Sequence, residues 1–206
     1  MSGAPRKTTL SKDDILQVFA AISEAIFIAG GSVSVLHSSR TATEDIDFFC
    51  EHTDTMNDLE DMAKSVGESM NLAQNFMNSA VRFFVRHENF KEAIPNSVRQ
   101  NEVLFRGEGI VVYSADYGYQ YLAKLHRLSR PNSRATGVQV EKDRRDAAFY
   151  LRQLCLSKGR RLTRQEIKDL YPNKTGEIPI VSDAEMDAVD EIYREVYGED
   201  DKPFAI

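Results

Sequence analysis

Residues 27–50 decide the fold, and they read FIAGGSVSVLHSSRTATEDIDFFC. A short apolar run ends at the pair Gly30-Gly31, and a helix-like segment begins directly after it at Ser32. The stretch 45–50 alternates acidic and apolar residues before an aromatic pair, which is typical of a second strand. The order therefore predicts a strand, a tight glycine turn, a short helix and another strand, which is the beginning of an α/β domain.

The flanking sequence extends this pattern in both directions. A capping box at Ser11 and Asp14 starts an amphipathic helix over 12–25, and apolar positions between 56 and 70 mark a longer one. Residues 81–85 form a third apolar run, and 103–105 with 110–113 predict a hairpin. We therefore expect an α/β (α+β) fold in which helices cover one side of a small mixed sheet.

The character of the sequence changes at Asp116, after which helical stripes dominate and two capping boxes occur, Thr163 with Glu166 and Ser182 with Glu185. We expect a disordered N-terminus over 1–10, an α/β core over 11–115, and a helical C-terminal region over 116–206 that packs on the core. Residues 160–206 fit either a segment that gates a cleft or one that caps the core.

Composition limits the classes of partner and compartment. The 206 residues carry a net charge of −6, so no global positive field draws the protein to nucleic acid or to an anionic membrane. Cys50 and Cys155 lack a ligand-spaced partner, and we interpret them as small buried apolar residues in a reducing compartment. No apolar run resembles a signal peptide or a membrane span, so we expect a cytoplasmic location without membrane partners.

The glycine turn is a candidate phosphate site. Without a Cβ, Gly30 and Gly31 let the backbone approach a ligand closely, and the N-terminus of the following helix favours anions. Ser32 adds a hydroxyl group at the same place. The alternative is a glycine pair that serves only as a turn between a strand and a helix.

The two carboxylates after the turn are candidate metal ligands. Asp45 and Asp47 are two residues apart on a strand, so their side chains leave the same face, roughly 6–7 Å apart along the backbone. Mg²⁺ prefers such hard oxygen ligands and keeps positions open for substrate phosphates. The alternative is a strand with one solvated polar face.

Together, these residues resemble the signature of the nucleotidyltransferase superfamily, which has the polymerase-beta-like fold. Thirteen residues separate Gly31 from Asp45. The stretch 40–47, RTATEDID, is similar to a run found in the branch that contains abortive-infection-type nucleotidyltransferase toxins and related uncharacterised domains. The resemblance implies that Arg40 contacts the nucleotide, and it leaves open whether Thr41 or Thr43 is the matching threonine.

A downstream segment extends the resemblance. Residues 121–125 read YLAKL and are followed by Arg127, Arg130 and then Lys142-Asp143. This order is similar to that of the same branch, which has a Leu-x-x-Lys-Leu helix, an arginine and then a Lys-Asp pair. The resemblance implies that Lys124 contacts the triphosphate and that Asp143 closes the active site, where a carboxylate can accept the proton of an attacking hydroxyl. The alternative is a solvated helix pair, with Lys142 and Asp146 forming an i,i+4 ion pair.

The resemblance implies an enzyme that transfers a nucleoside monophosphate from an NTP to an acceptor (a protein, an RNA or a small molecule), with Mg²⁺ as cofactor. A third carboxylate has no clear match among Glu102, Glu108 and Asp116, and Asn78-Ser79 replaces an Asn-Asp pair of the branch. The alternative function is therefore an inactive nucleotidyltransferase-like module that acts through a protein or nucleic-acid partner. A basic segment over 124–145 is also compatible with RNA as the acceptor.

Overall fold

A computed structural model describes residues 6–20, 25–50, 53–81, 90–108, 110–129, 136–172, 181–198 and 204. In chain order its elements are α1 (Lys12–Ala20), β1 (Ala25–Ala29), α2 (Gly31–Leu36), β2 (Ile46–Phe49), α3 (Thr53–Ser69), β3 (Met77–Asn78), α4 (Ala93–Gln100), β4 (Val103–Arg106), β5 (Val111–Ser114), α5 (Tyr117–Leu128), α6 (Gly137–Lys158), α7 (Arg164–Asp169) and α8 (Asp183–Tyr197). The expected α/β fold class, with a mixed sheet, flanking helices and a helical C-terminal part, is confirmed.

The chain divides into two compact units. The sheet unit comprises Met1–Arg86 and Ile94–Ala115, and it contains all of the described strands. The helical unit comprises His87–Ala93 and Asp116–Ile206. The chain therefore passes from one unit to the other between Ala115 and Asp116, and the short segment 87–93 belongs to the helical unit.

The described strands form one five-stranded sheet in the order β3-β2-β1-β5-β4. The central strand β1 is antiparallel to β2 and parallel to β5, while β2 is parallel to β3 and β4 is antiparallel to β5. The end of β1 therefore lies beside the beginning of β2, which in turn lies beside the beginning of β3.

One face of the sheet forms the apolar core of its unit. Alternate strand residues point to this face and are fully buried; they include Ile26, Ile28, Ile46, Phe48 and Val112. Phe105 of β4 pairs with Val112 and therefore shares the face, where its ring lies 5.8 Å from the ring of Phe19 in α1. Helix α1 thus packs on this face.

The opposite face has an aromatic row and a polar end. The rings of Phe49, Phe27 and Tyr113 stack across three neighbouring strands, with 5.5 Å between adjacent centroids. Two residues beyond Phe27 on β1, Ala29 lies opposite Asp47 of β2. Because directly paired residues share a face, the carboxylate of Asp47 belongs to the same side of the sheet as the aromatic row.

The beginning of the chain differs from the expected disorder over 1–10. Lys7 forms a parallel bridge with Leu72, and Leu10 forms an antiparallel bridge with Thr43. Leu10 is only 1% exposed. The expectation is therefore wrong for residues 6–10, because one apolar anchor and paired backbone groups tie this short polar segment to the sheet unit. Residues 1–5 lie outside the described residues.

The helical unit follows the expected capping signals. Asp116 caps α5 through the amide of Tyr119, and Thr163 with Glu166 forms the expected capping box of α7. Gly159 ends α6 in the left-handed conformation, at φ 65°. No helix in the described part of the chain is long and apolar enough to cross a membrane.

Three details depart from the sequence pattern. Helix α1 is described only to Ala20, short of the expected residue 25. The third strand is the two-residue β3, and the apolar run expected at 81–85 lies outside the described residues after Val81. Helix α4 was not expected from the sequence. It contains Pro95, which is tolerated because it lies in the first turn, where its missing amide removes no helical hydrogen bond.

Candidate functional site

The glycine turn joins β1 to α2 within the sheet unit. Gly30 adopts φ 72° and ψ −149°, a conformation that side-chain-bearing residues rarely occupy. A Cβ added to Gly30 would lie 3.2 Å from Oδ2 of Asp47. Both the backbone conformation and the close carboxylate therefore require glycine at this position.

Gly31 is enclosed by the loop that follows α2. A Cβ added to Gly31 would lie 2.5 Å from Oγ1 of Thr43 and 2.6 Å from Nη1 of Arg40. Arg40, which the resemblance implies as a nucleotide contact, thus lies beside the turn. Of the two threonines left open by the sequence, Thr43 is the one at the turn, while Thr41 is exposed.

The carboxylate pair lies at the same end of the sheet. Asp47 is opposite Ala29 of β1 on one side and Asn78 of β3 on the other. Asp45 immediately precedes β2, and both aspartates are half-buried, whereas Ile46 between them is fully buried. Half-buried carboxylates on a single face have the hard oxygen donors that suit Mg²⁺. No group of three or more His, Cys, Asp or Glu side chains suited to a metal ion occurs in the described residues.

The structure corrects the expectation for Ser32. Its side chain is fully buried, and its hydroxyl donates a hydrogen bond of 3.0 Å to the carbonyl of Ala29. The hydroxyl thereby satisfies the last carbonyl of β1 instead of facing a ligand. Helix α2 is also only six residues long, so its dipole contributes little to anion binding.

The loop between α2 and β2 is held at both ends. The backbone amides of Ser39 and Arg40 both donate to the carbonyl of Ser34, at 2.9 and 3.2 Å. Further along, the amide and carbonyl of Thr43 pair with those of Leu10. Since these bonds fix the backbone on each side of Arg40 and Thr43, the loop keeps both residues close to Gly31.

Lys124 and Asp143 belong to a buried ion-pair network in the helical unit. Nζ of Lys124 lies 2.9 Å from Oδ1 of Asp143 and 2.8 Å from Oδ2 of Asp146. Arg127 also pairs with Asp143, and Gln139 donates to it at 3.3 Å. Lys124 is 8% exposed and each aspartate 1%. Asp146 thus pairs with Lys124 on α5. The sequence had offered a solvated ion pair between Lys142 and Asp146 as the alternative, whereas Asp146 is buried.

The charges of this network compensate each other. Burial alone raises the pKa of Asp143, but the nearby Lys124 and Arg127 lower it below the ordinary value. Two carboxylates therefore face two cations within one unit. The roles of Lys124 at a triphosphate and of Asp143 as a proton acceptor stay predictions, and either role requires these ion pairs to open.

The candidates for a third carboxylate have separate environments. Asp116 accepts hydrogen bonds from the amide of Tyr119 and from the hydroxyl of Tyr171, and its burial raises its pKa. Glu102 lies 3.9 Å from His37, and Glu108 is exposed on the β4–β5 hairpin. In the described residues, none of these three joins Asp45 and Asp47 in a metal-binding group.

Two neighbours of the site have little sequence signal. Asn78 is the second residue of the two-residue strand β3, and its side chain accepts a hydrogen bond from the amide of Ala80. The approach of Thr43 to Gly31 depends on its pairing with Leu10, which is 33 residues away. The Arg-Thr run gave a hint of this threonine, but only the pairing distinguishes it from Thr41.

Comparison with known proteins places these features in a family. No curated protein and no solved structure matches the chain. One family model, described as "Domain of unknown function (DUF7582)", matches residues 28–200, a range that contains the glycine turn, the carboxylate pair and the ion-pair network. Since the match covers most of the 206 residues, the chain belongs to the DUF7582 family.

Proposed function

We propose that this protein binds an NTP with Mg²⁺ at the glycine turn and transfers the nucleoside monophosphate to an acceptor. The observation that carries the proposal is the convergence on two adjacent glycines. The carboxylate of Asp47 lies against Gly30, while Arg40 and Thr43 lie against Gly31. This combination brings half-buried glycine backbone, a cation and metal-binding oxygens to one place.

Each group has a distinct role in the proposed reaction. Asp45 and Asp47 would hold Mg²⁺, which supplies charge stabilisation for the phosphates. Gly30 and Gly31 let neighbouring side chains approach the backbone closely, because an added Cβ would lie 3.2 Å from Oδ2 of Asp47 or 2.6 Å from Nη1 of Arg40. Phosphate oxygens would bind beside these side chains. The guanidinium of Arg40 is always charged, and its planar donors match phosphate geometry.

The proposed chemistry is a substitution at the α-phosphorus. A hydroxyl oxygen of the acceptor forms a new bond to this phosphorus while the bond to the bridging oxygen of the β-phosphate breaks. Pyrophosphate leaves with the bonding electrons, and the hydroxyl proton passes to solvent or to a carboxylate. Positioning and electrostatics carry most of the catalysis of phosphoryl transfer, so the site needs no covalent intermediate.

A second candidate function is nucleotide binding without transfer. The hydroxyl of Ser32 and the amine of Lys124, both expected at the nucleotide, are engaged in contacts within the fold. A module that retains the glycine turn and the carboxylate pair would still bind an NTP. It would signal through a protein or nucleic-acid partner instead of releasing pyrophosphate.

The test is calorimetric titration with ATP, GTP, CTP and UTP, each with and without Mg²⁺. We expect at least one NTP to bind wild type when Mg²⁺ is present and to lose binding in Asp45→Asn/Asp47→Asn. A control with the same change of charge is Asp58→Asn/Glu191→Gln, which alters two exposed acidic side chains outside the site. A folded wild type that binds no NTP would sink both candidate functions.

A transfer assay then separates the two candidates. NTP labelled at the α-phosphate is incubated with the protein alone, with total RNA and with a protein extract, and pyrophosphate release is measured. Label on an acceptor, together with pyrophosphate, supports the enzyme. NTP binding without either product supports the binding module.

A further inference from the structure

Tyr121 carries a buried hydroxyl group that meets no hydrogen-bond partner among the described residues. The tyrosine lies on α5 and is 0% exposed, and its Oη forms no hydrogen bond with a protein group there. Leaving a buried hydroxyl unpaired costs free energy, so such groups in native proteins usually meet an ordered water or a ligand. The hydroxyl therefore marks a candidate binding position inside the helical unit.

Helix α8 brings two further buried polar atoms without a hydrogen-bond partner in the described part of the chain. Asp190 lies on the buried face of α8 and is 7% exposed. Its Oδ2 accepts a hydrogen bond from Nη2 of Arg194, whereas its Oδ1 has no donor. Nε of Arg194 is buried and has no acceptor. One ion pair thus leaves both an acceptor and a donor unused.

Tyr121 and Asp190 come together where α5 and α8 pack. Helix α8 contacts both α5 and α6. Burial raises the pKa of the Tyr121 hydroxyl, the cation of Arg164 lowers it, and the negative charge of Asp190 raises it further. The charge of Asp190 therefore reaches the hydroxyl, although the two groups do not bond to each other directly.

The chemistry of these three atoms selects a neutral molecule that both donates and accepts hydrogen bonds. Asp190 and Arg194 compensate each other's charge, so the position favours neither a free cation nor an anion. Nε of Arg194 can only donate, Oδ1 of the ionised Asp190 can only accept, and the Tyr121 hydroxyl can do either. A water molecule matches all three, and buried waters typically form about three hydrogen bonds to such groups.

We infer that a buried water molecule bridges the Tyr121 hydroxyl, Oδ1 of Asp190 and Nε of Arg194, and thereby ties α8 to α5. The water accepts from Tyr121 and from Arg194, and it donates to Asp190. This inference concerns only the helical unit and is independent of the proposed nucleotide site. It makes α8 an integral part of that unit.

The first test is nuclear magnetic resonance of the full-length protein labelled at the tyrosine ring carbons. We expect the hydroxyl proton of Tyr121 to exchange slowly and to show a dipolar cross-peak to water. The variant Tyr121→Phe assigns the signal by its loss. A slowly exchanging hydroxyl proton without that cross-peak, or one that exchanges as fast as in free tyrosine, overturns the inference.

The second test is the thermal unfolding of Tyr121→Phe. Loss of a hydrogen bond to the bridging water should lower the unfolding midpoint by roughly 2–4 °C. A hydroxyl that met no water would instead be replaced without loss, so an unchanged or higher midpoint contradicts the bridge. Tyr113→Phe removes the hydroxyl of a half-exposed tyrosine in the sheet unit and serves as the matched control, expected to unfold like wild type.

The same substitution in an Asp190→Leu background tests whether the two helices share the water. Leucine has a similar shape to aspartate and removes the acceptor. If Tyr121 and Asp190 share one water, Tyr121→Phe shifts the midpoint less in this background than in wild type. Equal shifts in both backgrounds refute the bridge. If Asp190→Leu does not fold, the spectrum of wild type and the unfolding of Tyr121→Phe decide the inference.

Discussion

Replacing Lys124 by methionine tests whether the buried network of the helical unit is structural. Methionine keeps the length and apolar character of the lysine stem and removes its charge. Asp143 and Asp146, each 1% exposed, would then lose their shared cation, while Arg127 and Gln139 would still bond to Asp143. Removing one partner of a buried ion pair costs about 3–5 kcal/mol, because a charge stays buried without compensation.

The expected effect is large enough to measure in a protein of this size. For chains of 150–250 residues, 1 kcal/mol shifts the midpoint of thermal unfolding by roughly 2–4 °C, so Lys124→Met should lower it by about 6–20 °C. The assay is thermal and urea unfolding followed by circular dichroism. Lys142→Met is the matched control: its lysine is half-exposed on the same helix as Asp143, and surface substitutions usually stay within about 0.5 kcal/mol.

The nucleotide affinity of the same variant separates the two views of Lys124. If the lysine is structural, Lys124→Met binds Mg²⁺–NTP like wild type at temperatures well below its unfolding midpoint. A variant that unfolds like wild type but has lost nucleotide binding would refute the reasoning. It would show that the lysine leaves its two carboxylates to hold the triphosphate, as the family resemblance implies.

Three further predictions address the turn, the acid response and the N-terminal segment. Gly31→Ala should lower the free energy of unfolding by about 1–3 kcal/mol and weaken NTP binding, because the new methyl group would lie within 2.6 Å of Thr43 and Arg40 atoms. An unchanged midpoint of urea unfolding would contradict this packing of the loop against Gly31. The pKa of Asp143 is lowered from its ordinary value of 3.8, so its carboxylate stabilises the fold at pH values above 3.8. This contribution is lost as the pH falls through the lower folded-state pKa. In urea unfolding between about pH 5 and pH 2, acid should therefore destabilise wild type more than Asp143→Asn. Hydrogen exchange should show protected amides at Leu10 and Thr43, because each amide donates to the carbonyl of the other residue. Exchange of the Leu10 amide at the rate of an unfolded chain would support the disordered N-terminus instead.

The sequence predicted those parts of the fold whose determinants are local. The turn at Gly30-Gly31, the start of β2 and the capping box at Thr163 each depend on neighbouring residues, and each occurs in the structure. The two-residue strand β3 was missed because two residues carry no periodicity. The segment 6–10 was missed because its single apolar residue, Leu10, gives no pattern until its partner is known.

The candidate site was predictable to a similar extent. The sequence pattern predicted one site for Gly30 and Asp47, and in the structure Oδ2 of Asp47 lies 3.2 Å from where a Cβ on Gly30 would be. The direction of the Ser32 hydroxyl was not predictable. A hydroxyl in the first turn of a helix can either donate to a backbone carbonyl, as it does here, or face a ligand, and the sequence does not distinguish these two arrangements. The partners of Lys124 are 19 and 22 residues away, so they depend on which faces of α5 and α6 meet.

The charges at the turn make a strong prediction about magnesium. Asp45 and Asp47 contribute two negative charges beside the glycines, and Arg40 contributes one positive charge, in a chain whose net charge is −6. A polyanionic triphosphate that approached these three side chains alone would be repelled on balance. Favourable binding therefore requires a cation between the carboxylates and the phosphates, so NTP affinity should depend steeply on Mg²⁺ in wild type. In Asp45→Asn/Asp47→Asn the repulsion and the metal ligands disappear together, so any residual affinity should no longer respond to Mg²⁺. Tight NTP binding by wild type in the presence of a chelator would show that the phosphates lie away from the carboxylates and that the turn serves another ligand.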